Sequence, residues 1–417
     1  MLLLELLYGY DIMIWARFLE EAQGKTVWNA DLSDVAAFHR ARRHGDAGAR
    51  ISATSWNRSI AALDKLYNWA KLERLVESSP FIHRDVWRRG RGAGRARVVA
   101  RNQAYEHAAK RSDVRFLALE DYGVFRDVGV RGLTADGIER PGARDRNGLR
   151  NALFAELLVT TGLRLEEASF LLASELASLA PGASRGRQAW FSLPAALTKG
   201  DRGRRILLPR RLLQQIAAYI AVERAHATGK FKNRMIWTTI QRPIFIHHPI
   251  SGATSVPLRD GGSIQIDALT PDERGRLVIC DNDGSPQESA ALWLTEVGLP
   301  VQPNSWEVVF ARACRRCSDA GFPMRVSPHQ LRHTFAVHML SMLIQRRMRD
   351  EAGGAANPGM ESYRRLLGDP LQQVQRLLGH ANLATTYLYL DHIVDRADTV
   401  DAAVEELLAL IPKASPP

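Results

Sequence analysis

Four short stretches of this chain combine residue types and spacings that suit chemistry on an anion. In TTGLRLEEASFLL, Gly162 permits a tight turn, and Leu165, Ala168, Leu171 and Leu172 then recur at helical spacing. Arg164 stands at that helix start, where free N–H groups favour an anion and a guanidinium adds a planar fork for phosphate oxygens. Glu167, three residues on, can hold the guanidinium in place, although a plain surface Arg–Glu pair has the same spacing. In LTKGDRGRR, Lys199 lies in a turn with three arginines close by, a setting that equally suits solvent and phosphate.

The third stretch, SPHQLRHTFAVHML, specifies a helix entry: Ser327 as N-cap, Pro328 at the first position and Gln330 at the capping-box position. His329 and Arg332 share a face of its first turn, apart from the apolar stripe Leu331, Phe335, Met339 and Met342. A cation and a titratable imidazole at a helix start make an anion site with a proton carrier beside it. His329 and His333 also have the i, i+4 spacing of two zinc ligands. Gln330 cannot be the general base of that motif, however, and Arg332 would set a cation against the metal.

The fourth stretch is LQQVQRLLGHANLATTYLYLDH. Leu371, Val374 and Leu378 mark a helix that Gly379 ends as a left-handed cap, His380 follows in the turn, and a new helix is expected near Asn382. Residues two apart on a helix point about 200° apart. Leu383, Tyr387, Leu390 and Val394 form one stripe, so a regular helix would make Tyr387 a packing residue and leave Tyr389 for another task.

The elements that must position these groups are mostly helical. Residues 1–80 read as a helical unit, with Ile60, Leu63, Tyr67, Ala70 and Leu75 near helical spacing and Asn57, Arg58, Lys65 and Lys71 off that stripe, facing a partner. Residues 81–111 read as a basic linker that tracks a phosphate backbone or merely stays solvated; Arg88, Arg89, Arg91, Arg95, Arg97 and Arg101 are its candidate DNA contacts. Between Ile82 and Arg111, eight Arg and one Lys stand against Asp85 and Glu106, a net of +7 within a chain of net charge +11. That balance favours a polyanionic partner. Residues 112–417 read as one larger domain with a hairpin, RQAWFSLPAALT and RRILLP flanking KGDRG. The fold class is mainly α with a small β-sheet or hairpin (α+β).

Apolar runs stay below membrane-spanning length, and no membrane partner is expected. MLLLELLYGYDIMIW is broken by Glu5 and Asp11 and lacks a basic lead-in, so no signal peptide is expected. Three cysteines, Cys280, Cys314 and Cys317, suit a reducing cytoplasm; the lone CxxC of Cys314 and Cys317 lacks the further pair a structural zinc site needs.

Together the four stretches resemble the tyrosine recombinase (phage integrase) family: T-G-L-R-x-x-E, a hairpin lysine, H-x-L-R-H, and L-G-H followed nine residues after its histidine by a tyrosine. NRSIAALDKLYNWA is similar, more loosely, to that family's helical core-binding domain. The resemblance implies a core-binding domain at 1–80 and a catalytic domain at 112–417, with added sequence near 231–300 and 345–370. It implies that Arg164 and Arg332 clamp a phosphate, that Lys199 is the leaving-group acid, and that His329 and His380 assist. Tyr389 falls on the nucleophile and Glu167 on a supporting acid. The implied activity is site-specific cleavage and rejoining of DNA through a covalent 3′-phosphotyrosyl bond, without metal, ATP or other cofactor, for integration or transposition of a mobile element. The implied partners are double-stranded DNA, three further copies in a tetramer, and accessory DNA-bending or partner recombinase proteins. The amphipathic run DTVDAAVEELLALI either caps its own domain or docks on a neighbouring subunit. A type IB topoisomerase and a DNA-binding relative without catalysis are the alternatives.

Overall fold

The structure, a computed structural model, describes residues 2–48, 50–88, 97–106, 114–138, 147–177, 179, 188–248, 254–352, 369–380 and 383–390. It divides into two compact units, Met1–Asp113 and Val114–Pro417. It is mostly helical with small sheets. Among the described residues no helix is long and apolar enough to cross a membrane.

The first unit is built on helices Leu2–Phe18, Leu32–His39 and Ala53–Leu72. Local chemistry sets their starts: Asp31 and Asp34 form a reciprocal capping box, and the Ser52 side chain accepts from the Ser55 amide. Trp15, Leu19, Phe38, Trp56, Ile60, Leu63 and Tyr67 fill one core. Its polar atoms are satisfied, since Trp15 Nε1 donates to Tyr67 Oη at 2.9 Å and Tyr67 Oη donates to the Val27 carbonyl at 2.6 Å. Leu75 lies beyond the helix and is exposed. Two residues expected to face a partner are used internally: Arg58 ion-pairs with buried Asp11 at 2.9 Å, and the Asn57 side chain bonds both backbone groups of Glu106.

Within the expected linker 81–111, two segments form strands. His83–Arg88 and Arg97–Asn102 pair antiparallel, with Arg88 opposite Arg97 and Arg84 opposite Arg101. The signal for this lay in the Val and Trp residues on either side of the Gly/Arg run, which have high strand propensity. The chain that follows is held to the helices. Trp56 Nε1 donates to the Ala104 carbonyl at 2.8 Å, and Glu106 takes a two-pronged bond from Arg43. Of the candidate DNA contacts, Arg88, Arg97 and Arg101 are strand residues, while Arg89, Arg91 and Arg95 lie outside the described residues.

In the second unit the buried helix Gly148–Thr161 runs through the largest core, where the Phe154 ring stacks on Trp306 at 3.6 Å and meets Trp293 edge-on. Strands Gln188–Leu193 and Arg204–Pro209 pair antiparallel across the KGDRG turn, and alternate residues of each turn inward, as a half-buried strand requires. The CxxC cysteines are packing groups on helix Pro303–Asp319. Cys314 Sγ lies 3.2 Å from the Val326 amide nitrogen, and buried Cys317 faces Gly129, where a Cβ would sit 2.8 Å from its sulfur. Residues 231–300 carry their own small core under two sheets. Ile244–His247 runs parallel to Leu277–Cys280, which pairs antiparallel with Pro286–Ser289; Ser255–Pro257 and Ser263–Gln265 form a separate pair.

Four helices frame the site: Gly148–Thr161, Pro328–Ala352, Pro370–Leu378 and the short Leu383–Tyr387. Residues 353–368, which are most of the expected 345–370 insertion, and the amphipathic tail after 390 lie outside the described residues. The Pro328 helix is capped by Ser327, whose Oγ accepts from the Gln330 amide at 3.2 Å. Gly162 and Gly379 both cap their helices in the left-handed region, each at φ 66°. A Cβ on Gly162 would collide with Phe335 and Leu378. Gly162→Ala therefore combines left-handed strain with overpacking, and we expect it to destabilise the second unit by about 2 kcal/mol or more. A urea titration checks this; an unchanged midpoint refutes it.

Candidate active site

Arg332 is the most buried cation of the site, 2% exposed. It was expected on an outward face of its helix, yet it points inward and donates to the carbonyls of Gly162 and Leu378, the latter at 2.6 Å. Each carbonyl belongs to the C-terminal end of a helix, where the macrodipole is negative. Burial, with Arg164 second, holds Arg332 down to about 9, so it stays charged at neutral pH.

Arg164 precedes a helix of only five residues, Leu165–Ser169, so the positive potential there comes chiefly from the guanidinium itself. Glu167 fixes it. One oxygen accepts from the Arg164 amide at 2.7 Å, and the other accepts from the guanidinium at 2.8 Å. Arg204, which sequence reasoning did not select, completes the arrangement. Its two terminal nitrogens reach the two Glu167 oxygens at 2.8 and 2.6 Å, and its Nε donates to the Leu377 carbonyl at 3.0 Å. The strand alternation could have found it, because Arg204 shares the inward face with Ile206 and Leu208. Burial alone would raise the Glu167 carboxyl; Arg204 and Arg164 outweigh it and hold the group below its ordinary value.

Tyr389 was expected off the packed face and Tyr387 on it, and the structure reverses this. Tyr387 is 49% exposed and Tyr389 2%. The regular helix stops at Tyr387 and Tyr389 sits in the following turn, its amide donating to Thr386 O, so helical periodicity does not extend to it. Its hydroxyl lies 3.0 Å from His333 Nδ1, and its ring stacks on His380 with centroids 6.1 Å apart. Burial pushes the phenol above its ordinary value, against the opposing pull of Arg332 and Arg164.

Three imidazoles surround this phenol and the arginines. His329 meets His333 edge-on at 4.3 Å between centroids; burial, then Arg332 and Arg164, lower its basicity. His380 pairs through Nδ1 with Thr386 Oγ1 at 3.1 Å. Burial and the same two arginines lower it to about 3, so it is neutral at physiological pH. His333 is the second residue that sequence reasoning passed over as a site group, although its helical spacing from His329 placed both rings on one face. Lys199 stands apart: it is exposed in the turn between the two strands and makes no hydrogen bond or ion pair with a described residue.

Glu167→Gln removes the charge both arginines are built around. We expect a loss on the order of 3 kcal/mol at neutral pH, because it leaves buried Arg204 unpaired. Since the folded carboxyl lies below its ordinary 4.5, the wild-type advantage is full above that value and fades as pH falls through the lower folded value. Urea melts of both proteins from pH 7 to pH 3 test this; a gap that widens on acidification contradicts it.

The family model described as "Phage integrase, N-terminal SAM-like domain" matches residues 6–74. The tyrosine recombinase XerC of Shewanella oneidensis is 34% identical over 104 residues, which is 25% of each chain. XerC of Ralstonia pickettii is 32% identical over 114 residues, 27% of this chain and 26% of its own. The matched stretch thus spans about a quarter of these curated relatives. The crystal structure of XerH site-specific recombinase bound to palindromic difH substrate, a post-cleavage complex, superposes with a TM-score of 0.50 at 15% identity. That likeness, over 95% of this chain and 78% of XerH, is one of fold. On these matches, residues 6–74 are similar to the phage integrase SAM-like domain, and the chain is similar to tyrosine recombinases over a quarter of its length and in fold.

Proposed function

We propose that this chain is a site-specific DNA recombinase that breaks and rejoins strands through a covalent bond between Tyr389 and a DNA 3′-phosphate. The observation that carries this reading is the meeting of three imidazoles and Arg164 around the buried Tyr389 phenol and the buried Arg332. A DNA phosphodiester is an anion that repels nucleophiles. Its cleavage needs charge neutralisation, an aligned oxygen and a proton for the departing sugar oxygen. Arg164 and Arg332 neutralise the non-bridging oxygens, whose charge grows in the transition state. His380, neutral and braced by Thr386, donates from Nε2 to one of them. Glu167 and Arg204 keep Arg164 from collapsing onto other acceptors.

Lys199 reaches the leaving oxygen only when the hairpin turn folds over bound DNA, consistent with its exposed position. The sugar hydroxyl so released later attacks the phosphotyrosine. The bond energy is conserved, and rejoining needs no ATP. His329 braces the phosphate beside Arg332.

Double-stranded DNA is the partner, bound in part by the basic hairpin whose strands carry Arg88, Arg97 and Arg101, together with Arg89, Arg91 and Arg95. Paired sites at the ends of a mobile element are the assigned substrate, held by four copies of the chain, with accessory DNA-bending proteins as further partners. A type IB topoisomerase would share the chemistry but relax DNA as a monomer.

A nicked suicide duplex carrying the element's own end tests the proposal. Wild-type protein should form a complex that survives a denaturing gel, Tyr389→Phe should form none, and Tyr387→Phe should form it normally. The reverse pattern of the two tyrosines would sink the assignment. Chelator should change nothing, and strong inhibition would restore a metal mechanism. Relaxation without recombination of paired sites would favour the topoisomerase.

Salt supplies a second test. Alanine at Arg88, Arg97 and Arg101 together should weaken duplex binding and reduce the slope of log affinity against log salt by about three. An unchanged slope would remove the hairpin from the interface.

A further inference from the structure

We infer that His333 is the group that receives the Tyr389 phenolic proton as the phenol attacks, a role that rests on the recombinase reading above. The observation is direct: the partner of the phenolic oxygen is His333 Nδ1, at 3.0 Å, within the range of productive proton transfer. His329, the first histidine of the same helix face, is turned elsewhere. Its ring lies edge-on against His333, and its electrostatic neighbours are Arg332 and Arg164. His380 covers the face of the Tyr389 ring and spends Nδ1 on Thr386. The three imidazoles thus have three stations: His333 at the attacking oxygen, and His329 and His380 on the arginine side.

The phenol cannot shed its proton unaided. It is buried, and burial disfavours the phenolate. In the step, a lone pair of the Tyr389 oxygen forms the new O–P bond while its proton passes to Nδ1 of His333. The bond from phosphorus to the 5′ oxygen breaks, its electron pair stays on that oxygen, and Lys199 protonates it. On rejoining, the sugar hydroxyl returns its proton to Lys199 as it bonds to phosphorus and displaces the tyrosine, which recovers its own proton from His333. Acceptance at Nδ1 requires the tautomer that carries hydrogen on Nε2.

The test measures single-turnover formation of the covalent complex on two nicked duplexes that differ only in the 5′ bridging atom, oxygen or sulfur. A thiolate departs without a proton donor, so sulfur relieves a defect in the acid and leaves a defect in the base. His333→Asn keeps a hydrogen-bonding nitrogen near the Nδ1 position but cannot take a proton. We expect His333→Asn and His333→Ala to be slowed about 100-fold or more on both duplexes. Added imidazole should speed the alanine variant, and Lys199→Ala should be slow on the oxygen duplex alone. Thermal melts accompany each variant. A wild-type rate for His333→Asn, rescue of either His333 variant by sulfur, or an alanine variant indifferent to imidazole would overturn the inference. Failure of the wild type on both duplexes, or a complex formed by Tyr389→Phe, would sink the recombinase reading and this inference with it.

Discussion

The second unit is organised around one buried cation. A guanidinium removed from water costs several kcal/mol unless its donors are met. Arg332 meets that cost with the carbonyls of Gly162 and Leu378, which no side chain supplies. Both carbonyls are available because their helices end in left-handed glycine caps, which turn the chain aside and leave oxygens pointing outward along the helix axes. Three helices that are far apart in sequence must therefore converge within hydrogen-bond reach of one side chain. The turns that follow the two caps deliver Arg164 and His380, so the same constraint that buries Arg332 sets where those groups stand.

Glu167 answers the second problem, two arginines close together. Like charges at short range repel strongly at low dielectric. A single buried carboxylate that takes bonds from Arg164 and both ends of the Arg204 fork offsets this repulsion. Arg204 also reaches the Leu377 carbonyl, and a Cβ on Gly379 would sit 2.8 Å from its side chain. The strand after the Lys199 turn is thereby tied to the end of the Pro370–Leu378 helix, which makes the hairpin base rigid while its tip stays exposed.

Features that depend on neighbours along the chain were legible in the sequence. The two glycine caps, the Ser327 cap, the Arg164–Glu167 pair and the strand alternation across KGDRG all follow from local chemistry. Features that depend on chain reversal were not. The Arg204–Glu167 bond spans 37 residues and the His333–Tyr389 bond 56, and no local period encodes either. The tyrosine inference failed for a different reason: it extended a helix past Tyr387, and a turn moves every later side chain onto another face. The basic segment was misread because its glycines outweighed the β-branched and aromatic residues on either side of them.

The reversal of the tyrosines sharpens the chemistry. An exposed phenol off a helical stripe would be free to move but would have no reason to lose its proton. A buried phenol is harder to ionise, yet it is held, and the same burial that disfavours the phenolate places an imidazole nitrogen on its oxygen and a second ring against its face. Binding of a phosphate between Arg164 and Arg332 would add a negative charge to a pocket now dominated by positive ones. That charge raises the basicity of nearby imidazoles. On the reading proposed above, the arrival of the substrate would therefore favour passage of the phenolic proton to the imidazole that faces it.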